Sequence, residues 1–220
     1  MSKPYRSGGF QQHVEAMNRE RQAIQDAAAA ILRRGDAECP ERFLYNIYTD
    51  GSCPKTGGAG GWAFVVVGPD NQQIYADSGQ IYPSTNNTAE MTAIYEGMNW
   101  VCEHAHYAPA RIITDSKYCQ EGICNWLWKW AANDWRLYTG GPVKNQGLWK
   151  QMMKLLDVHP KNFLFAWVKG HAGNRWNEMA DRMAKARTKE ARIDAAEPEN
   201  WQNFDAEWDG VPLQRPAQRK

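Results

Sequence analysis

The sequence predicts an α/β protein built on a mixed sheet of five strands, the first three forming an antiparallel meander, with helices packed on it. Three observations predict this. Three β-rich runs follow one another over residues 43–81 with only turn-like residues between them. Beyond them, strand-like and helix-like segments alternate as far as residue 187. The hydrophobic spacing also changes at about residue 88 to three- and four-residue steps, the signature of helices laid on a sheet.

Each element has its own justification. Phe43–Thr49 and Trp62–Val67 are rich in aromatic and β-branched residues, and the glycines between them read as turn material. Gln73–Ile81 supplies a third strand. Thr88–His104 places Met91, Ile94, Met98 and Val101 on one helical face. A short buried strand, Arg111–Thr114, follows, and then helices over Ser116–Trp130 and Gln146–Val158. Phe163–Val168 is the last strand and Asn174–Arg187 the last helix.

Outside this unit, residues 14–34 predict one more helix. Val14, Met17, Ile24, Ala28 and Ile31 make an apolar stripe, Arg33 and Arg34 suit the last turn, and Gly35 is a good terminator. The expected organisation is a helical extension over 1–42, one main domain over 43–188 and a loosely ordered tail over 189–220. That tail is rich in Pro, Glu, Asp and Gln, with Trp201, Phe204 and Trp208 available to dock.

A chain of 220 residues is long for one domain and short for two, which fits a domain with extensions. Its 43% hydrophobic and 23% charged residues exclude a wholly disordered chain. The formal charge of +1 excludes a strongly basic coat protein. Over 43–188 there are 14 basic and 12 acidic residues, and removing Asp50, Glu90, Asp115 and Asp181 from that count leaves a modestly basic remainder. Five cysteines (39, 53, 102, 119, 124) without a C-x-x-C pair argue for reduced thiols and a cytoplasmic setting. The apolar run Ala27–Leu32 is too short to span a membrane and too charged at its flanks for a signal peptide, so no membrane partner is expected.

Two strands end alike, in Thr49-Asp50-Gly51-Ser52 and Thr114-Asp115-Ser116-Lys117. Asp residues just past apolar strands lie at the carboxyl end of a sheet, where α/β proteins place their sites. The plainer alternative is that each Asp starts a turn or caps a helix. Glu90 lies one turn before Ile94, toward the core stripe. Its alternative is a capping box, Asn87-x-x-Glu90. Asp181 sits at the edge of the small apolar face of the last helix, where a solvated charge is the alternative. Four inward carboxylates repel one another unless cations intervene, and hard Mg²⁺ accepts carboxylate oxygen readily. Gly58, Gly60 and Ala63 formally match a dinucleotide fingerprint, but a strand rather than a helix follows them, so nucleotide binding is rejected.

These stretches resemble type 1 ribonuclease H. The resemblance rests on YTDGSC (48–53), GAGGWA (58–63), TNNTAE (85–90), ITDSKY (113–118), PVKN (142–145), LWK (148–150) and WVKGHAGNRWNEMAD (167–181), in order and with suitable spacing over about two-thirds of the chain. It implies a ribonuclease H-like fold with helices on both faces and the fourth and fifth strands parallel to the first. It also implies an endonuclease that hydrolyses the RNA strand of RNA–DNA hybrids by two-metal-ion catalysis, leaving 5′-phosphate and 3′-hydroxyl ends.

Carried over residue by residue, the resemblance implies that Asp50, Glu90, Asp115 and Asp181 bind two Mg²⁺ ions, with Mn²⁺ as an alternative. His171, in the glycine-flanked loop 170–173, corresponds to a histidine that assists proton movement or product release, a task suited to its near-neutral pKa. Asn86 and Asn87 correspond to a polar pair in the hybrid's minor groove, where an amide can read a 2′-hydroxyl. Cys53 corresponds to a position near the RNA backbone. Thr85 and Thr56 correspond to positions near a DNA-strand phosphate, although the family often has Asn where this chain has Thr56.

Asn125–Val143 resembles the family's protruding substrate handle. Trp126 is its DNA-strand contact candidate, while Trp130 and Trp135 read better as core. Lys129, Arg136 and Lys144 remain basic there, with Lys129 and Lys144 as substrate contacts. Ala131-Ala132-Asn133-Asp134 stands where well-known bacterial members carry consecutive Lys and Arg. With fewer phosphates neutralised, the salt dependence of binding should flatten by nearly one log–log unit for each missing ion pair. The expected protein is a monomer whose N-terminal helix packs on the domain or on a partner. Two other classes stay open at this point: a catalytically silent hybrid-binding module, and a junction resolvase on the same fold.

Overall fold

In the computed structural model, which describes Arg19 and residues 44–105, 108–158 and 162–194, the meander is in place. It comprises β1 (Tyr45–Ser52), β2 (Gly58–Val67) and β3 (Gln73–Ser84). Then come α1 (Asn86–His104), β4 (Ala110–Thr114), α2 (Lys117–Glu121), a π-helical turn (Gly122–Trp126) and α3 (Leu127–Ala132). The chain continues with α4 (Gln146–Val158), β5 (Phe163–Trp167) and α5 (Arg175–Asp194). The sheet order is β3-β2-β1-β4-β5. β1 pairs antiparallel with β2, and β2 with β3; β4 is parallel to both β1 and β5. This is the expected five-stranded mixed sheet.

Strand alternation divides the apolar residues between two layers. Phe64 and Val66 of β2, with Ile47 and Ile112, join Met91, Ile94, Met98 and Val101 of α1 and Leu148, Trp149, Met152 and Leu156 of α4. Their neighbours Val65 and Val67 face the other way, against Trp176 and Ala180 of α5. Helices therefore cover both faces.

Three boundaries differ from the sequence reading, each for a local reason. Of the glycines read as a turn, Gly58, Gly60 and Gly61 belong to β2: a Cβ on Gly61 would come within 2.3 Å of the Ala184 carbonyl oxygen, and one on Gly60 within 2.5 Å of Ser84 Oγ. Close approach accounts for Gly60 and Gly61, while Gly57 and Gly58 take the positive φ of 73° and 102° that the turn requires. The helix expected over Ser116–Trp130 is divided by the π turn, which begins where Gly122 lies against the Trp149 ring. And α5 runs on through Asp194, because Thr188 and Ala191 are buried, so the first six residues of the expected tail are helix. The helix predicted over 14–34 and the tail beyond 194, with Trp201, Phe204 and Trp208, lie outside the described residues. No described helix is long and apolar enough to cross a membrane.

Candidate active site

The parallel pairing of β1 with β4 ends at Thr49 and Thr114. Asp50, still in β1, and Asp115, just past the end of β4, are the next residues along the chain, so backbone register sets them side by side. Neither is spent as a helix cap: Ser116 caps α2, its Oγ accepting from the Cys119 N–H at 3.3 Å. Thr85 caps α1, and its capping box closes with Thr88. That corrects the capping alternative for Glu90. Released from capping duty, Glu90 points into the sheet at 7% exposure, and its Oε2 is buried without a hydrogen-bond partner among the described residues.

Asp50, Glu90 and Asp115 each offer a carboxylate oxygen within 4.8 Å of the others. Gly51 makes this convergence possible, because a Cβ there would lie 2.1 Å from the Glu90 backbone nitrogen. Asp181 of α5 is not in this close group. It is near enough to repel Asp50 and Glu90, and its carboxylate is held by Lys185, one turn on, at 2.8 Å.

The electrostatics follow from burial and proximity. Burial first, then the Asp115 and Asp181 charges, push the Asp50 carboxyl up to about 8. Burial and the Asp50 charge raise Glu90 well above the ordinary carboxylate range. Groups raised in the folded state contribute stability that is complete below their unfolded pKa near 4 and is lost as pH rises through the folded value. In chelator, the protein should therefore grow less stable between about pH 4 and pH 8, with a slope of up to about 1.4 kcal/mol per pH unit for each group. Added Mg²⁺ should raise the melting temperature much more at pH 8 than at pH 5. Thermal melts at both pH values check this, and a flat profile insensitive to Mg²⁺ would count against a mutually repelling cluster. An oxygen-only donor set with an orphaned buried carboxylate oxygen suits a hard divalent cation.

The remaining predicted residues surround the cluster unevenly. His171 is exposed, in a turn with φ 53°. Its loop is drawn down onto the cluster, since a Cβ on Gly170 would lie 2.4 Å from Asp115 Oδ2. Thr85, Asn86 and Asn87 are exposed at the start of α1. Cys53 is partly buried, its thiol directed at the Ala59 and Ser84 carbonyls, and burial raises its pKa. Thr56, Lys129 and Lys144 are exposed. Trp126 is half-buried, its ring against Tyr118 and Trp130, whereas Trp130 also packs on the buried Trp149.

Sequence reasoning missed four supporting residues. Asn177, 1% exposed, lies with its Nδ2 3.4 Å from Asp115 Oδ2, and Trp167 Nε1 donates to the Asp115 carbonyl at 2.9 Å. Gly170 and Lys185 complete the set. Asn177 and Lys185 stand four residues on either side of Asp181, a spacing that places all three on one helix face and was the available signal. Trp167 and Gly170 gave none, because their partner lies more than 50 residues away in sequence.

A mixed sheet with carboxylates converging at the ends of its two central parallel strands defines an α/β protein whose site lies at the strand carboxyl ends. The chain belongs to the RNase H family, whose model matches residues 43–189. It is 38% identical over 151 residues to Ribonuclease H of Treponema denticola, covering 63% of this chain and 92% of that protein. To Ribonuclease H of Thiobacillus denitrificans it is 40% identical over 147 residues, covering 66% and 94%. Among solved structures, the PFV RNase H domain superposes with a TM-score of 0.59 at 23% identity, covering 67% of this chain and 96% of that one. LC9-RNase H1, described as a type 1 RNase H with the type 2 active-site motif, superposes with a TM-score of 0.60 at 22% identity, covering 75% and 86%. Both structures share the fold.

Proposed function

We propose that this protein is an endonuclease that hydrolyses the RNA strand of RNA–DNA hybrids, with residues 43–188 as its catalytic domain. The observation that carries the reading is the buried convergence of Asp50, Glu90 and Asp115, with an orphaned oxygen on Glu90. Kept only for binding, such a cluster would destabilise the fold and return nothing. Its cost is understandable in a hydrolase.

In this reading Asp50, Glu90, Asp115 and Asp181 hold two divalent cations, Mg²⁺ in the cell and Mn²⁺ as a substitute. Divalent cations held there would supply a lowered pKa for water and charge for the leaving oxygen, chemistry that gives 5′-phosphate and 3′-hydroxyl ends. The protein's part is to hold its carboxylates in register on adjacent strands and to keep Asp115 fixed through Asn177 and Trp167. His171, exposed and carried by a loop tied to the cluster, moves a proton at the scissile phosphate or eases product departure.

Substrate choice falls to the outer ring. Exposed Asn86 and Asn87, only a turn from Glu90, can offer donor and acceptor to a 2′-hydroxyl, with Cys53 along the RNA backbone. Thr85, Trp126, Lys129 and Lys144 take the DNA strand. The family relationship supports this reading over a junction resolvase. Among the described residues no disulfide joins Cys53, Cys102, Cys119 and Cys124, which fits a reducing cytoplasm. One described chain supplies the whole cluster, so a monomer suffices.

A labelled panel of hybrid, duplex RNA, duplex DNA and four-way junction, offered with Mg²⁺, tests the reading. Cleavage of hybrid RNA alone is expected. Cleavage of the junction, or binding of hybrid with no cleavage at all, would overturn it.

A further inference from the structure

At the end of the sheet opposite β5, the edge strand β3 leaves Ile74 and Tyr75 half exposed, at 50% and 40%. Tyr75 is the centre of an aromatic platform. Its ring stacks on Trp100 at 5.5 Å and on His104 at 6.4 Å, and Trp100 stacks on His104 at 5.6 Å. Tyr45 meets Trp100 edge-on at 5.8 Å, and Leu44 beside it is 43% exposed. Trp100 Nε1 is buried without a hydrogen-bond partner among the described residues. A surface of this kind on an unpaired edge strand invites cover.

The rim of the platform is acidic. Glu96 and Glu103 share the Trp100 and His104 side of α1 by helical spacing. Asp77 stands two residues beyond Tyr75 on the same strand face, and the Asp77 and Glu103 charges add to burial in raising the Glu96 carboxyl. Among the described residues none of the three acids is in an ion pair.

We infer that residues 14–34 of this same chain form an amphipathic helix that docks on the platform formed by Tyr45, Tyr75, Trp100 and His104. Three features select this occupant. Its stripe of Val14, Met17, Ile24, Ala28 and Ile31 is an apolar face that needs a partner to bury it. By helical spacing Arg21 and Arg34 border that stripe, with Glu20 beside them, and the segment carries four Arg against Glu15, Glu20 and Asp26, a slight excess opposite in sign to Asp77, Glu96 and Glu103. The chain also enters β1 at the platform itself, at Leu44 and Tyr45. Residues 35–43 can span at most about 30 Å, enough to fold back across the edge strand while keeping the local concentration high. Docking closes the sheet edge, a role independent of the hydrolytic chemistry.

Hydrogen–deuterium exchange on the full-length protein tests this. In the parent, the backbone of 73–77 and 96–104 should be protected. Ile24→Asp combined with Ile31→Asp should speed exchange there by about tenfold or more while leaving 45–52 and 110–115 unchanged. Glu96→Lys combined with Glu103→Lys should produce the same loss from the other side of the interface. Hybrid cleavage by the Ile24/Ile31 variant should stay within about twofold of the parent, since the docking site is apart from the chemistry. Exchange unaltered by either pair of substitutions would overturn the docking. Protection that grows with protein concentration would do so as well, by assigning the platform to a second copy.

Discussion

Asp50→Asn is expected to abolish cleavage of an RNA–DNA hybrid and, in the same protein, to raise the melting temperature in chelator near pH 8. Both effects come from one carboxylate. Asp50 is the most central acid of the cluster, 5% exposed, next to Asp115 across the β1–β4 pairing and within carboxylate reach of Glu90. Its charged form is disfavoured by burial and then by the Asp115 and Asp181 charges, which holds its carboxyl up at about 8. An amide of nearly the same shape removes one of the repelling charges and leaves the β1 hydrogen bonds to β2 untouched. Electrostatic stabilisation of the reaction is lost with it, and the rate should fall by at least about 10³-fold. Steady-state cleavage and a thermal melt on the same preparation separate the outcomes. Parent-like cleavage would show that Asp50 holds no catalytic cation. A lower melting temperature would show that the acid stabilises the fold instead of straining it.

The second large effect is structural. Trp149→Ala should destabilise the domain by about 3–5 kcal/mol, among the largest losses a single truncation produces. Trp149 is fully buried, meets Tyr118 at 5.6 Å and Trp130 at 5.5 Å, and fills the space that Gly122 leaves open. It joins α4 to the π turn and so fixes the root of the segment from Asn125 to Val143. Residual folded protein should therefore bind hybrid more weakly than the parent, because Trp126 and Lys129 would lose their anchorage. Urea denaturation gives the stability change. A loss below about 1 kcal/mol would mean that the cavity collapses and that the handle is anchored elsewhere.

How much of this was legible in the sequence depends on whether the deciding interaction was local. The meander and the number of strands were legible in the residue pattern, whereas the parallel direction of β4 and β5 came from the resemblance to type 1 ribonuclease H, and the order β3-β2-β1-β4-β5 is seen only in the structure. Asp50 and Asp115 were legible because register carries them to one place. Glu90 was ambiguous: Asn87-x-x-Glu90 spells a capping box, and only the Thr85–Thr88 box formed in its stead shows the acid to be free. Asp181 was found as a residue but not as part of an ion pair, although Lys185 stood four residues on. The β2 glycines were misread because their partners, Ser84 and Ala184, lie on distant elements. The end of α5 was placed too early because burial of Thr188 and Ala191 extends the helix beyond its obvious apolar face.

End-group analysis of the RNA products tests the central claim most directly, because it reports which oxygen attacked the phosphorus. Water activated at a carboxylate-held cation leaves 5′-phosphate and 3′-hydroxyl ends, whereas attack by the RNA's own 2′-hydroxyl leaves a 5′-hydroxyl and a cyclic phosphate. With hybrid substrate and Mg²⁺ the protein should release only 5′-phosphorylated RNA fragments, leave the DNA strand intact and stop when the cation is chelated. Cyclic phosphate ends, or cutting that continues in chelator, would contradict the assignment of Asp50, Glu90, Asp115 and Asp181 as the reactive centre.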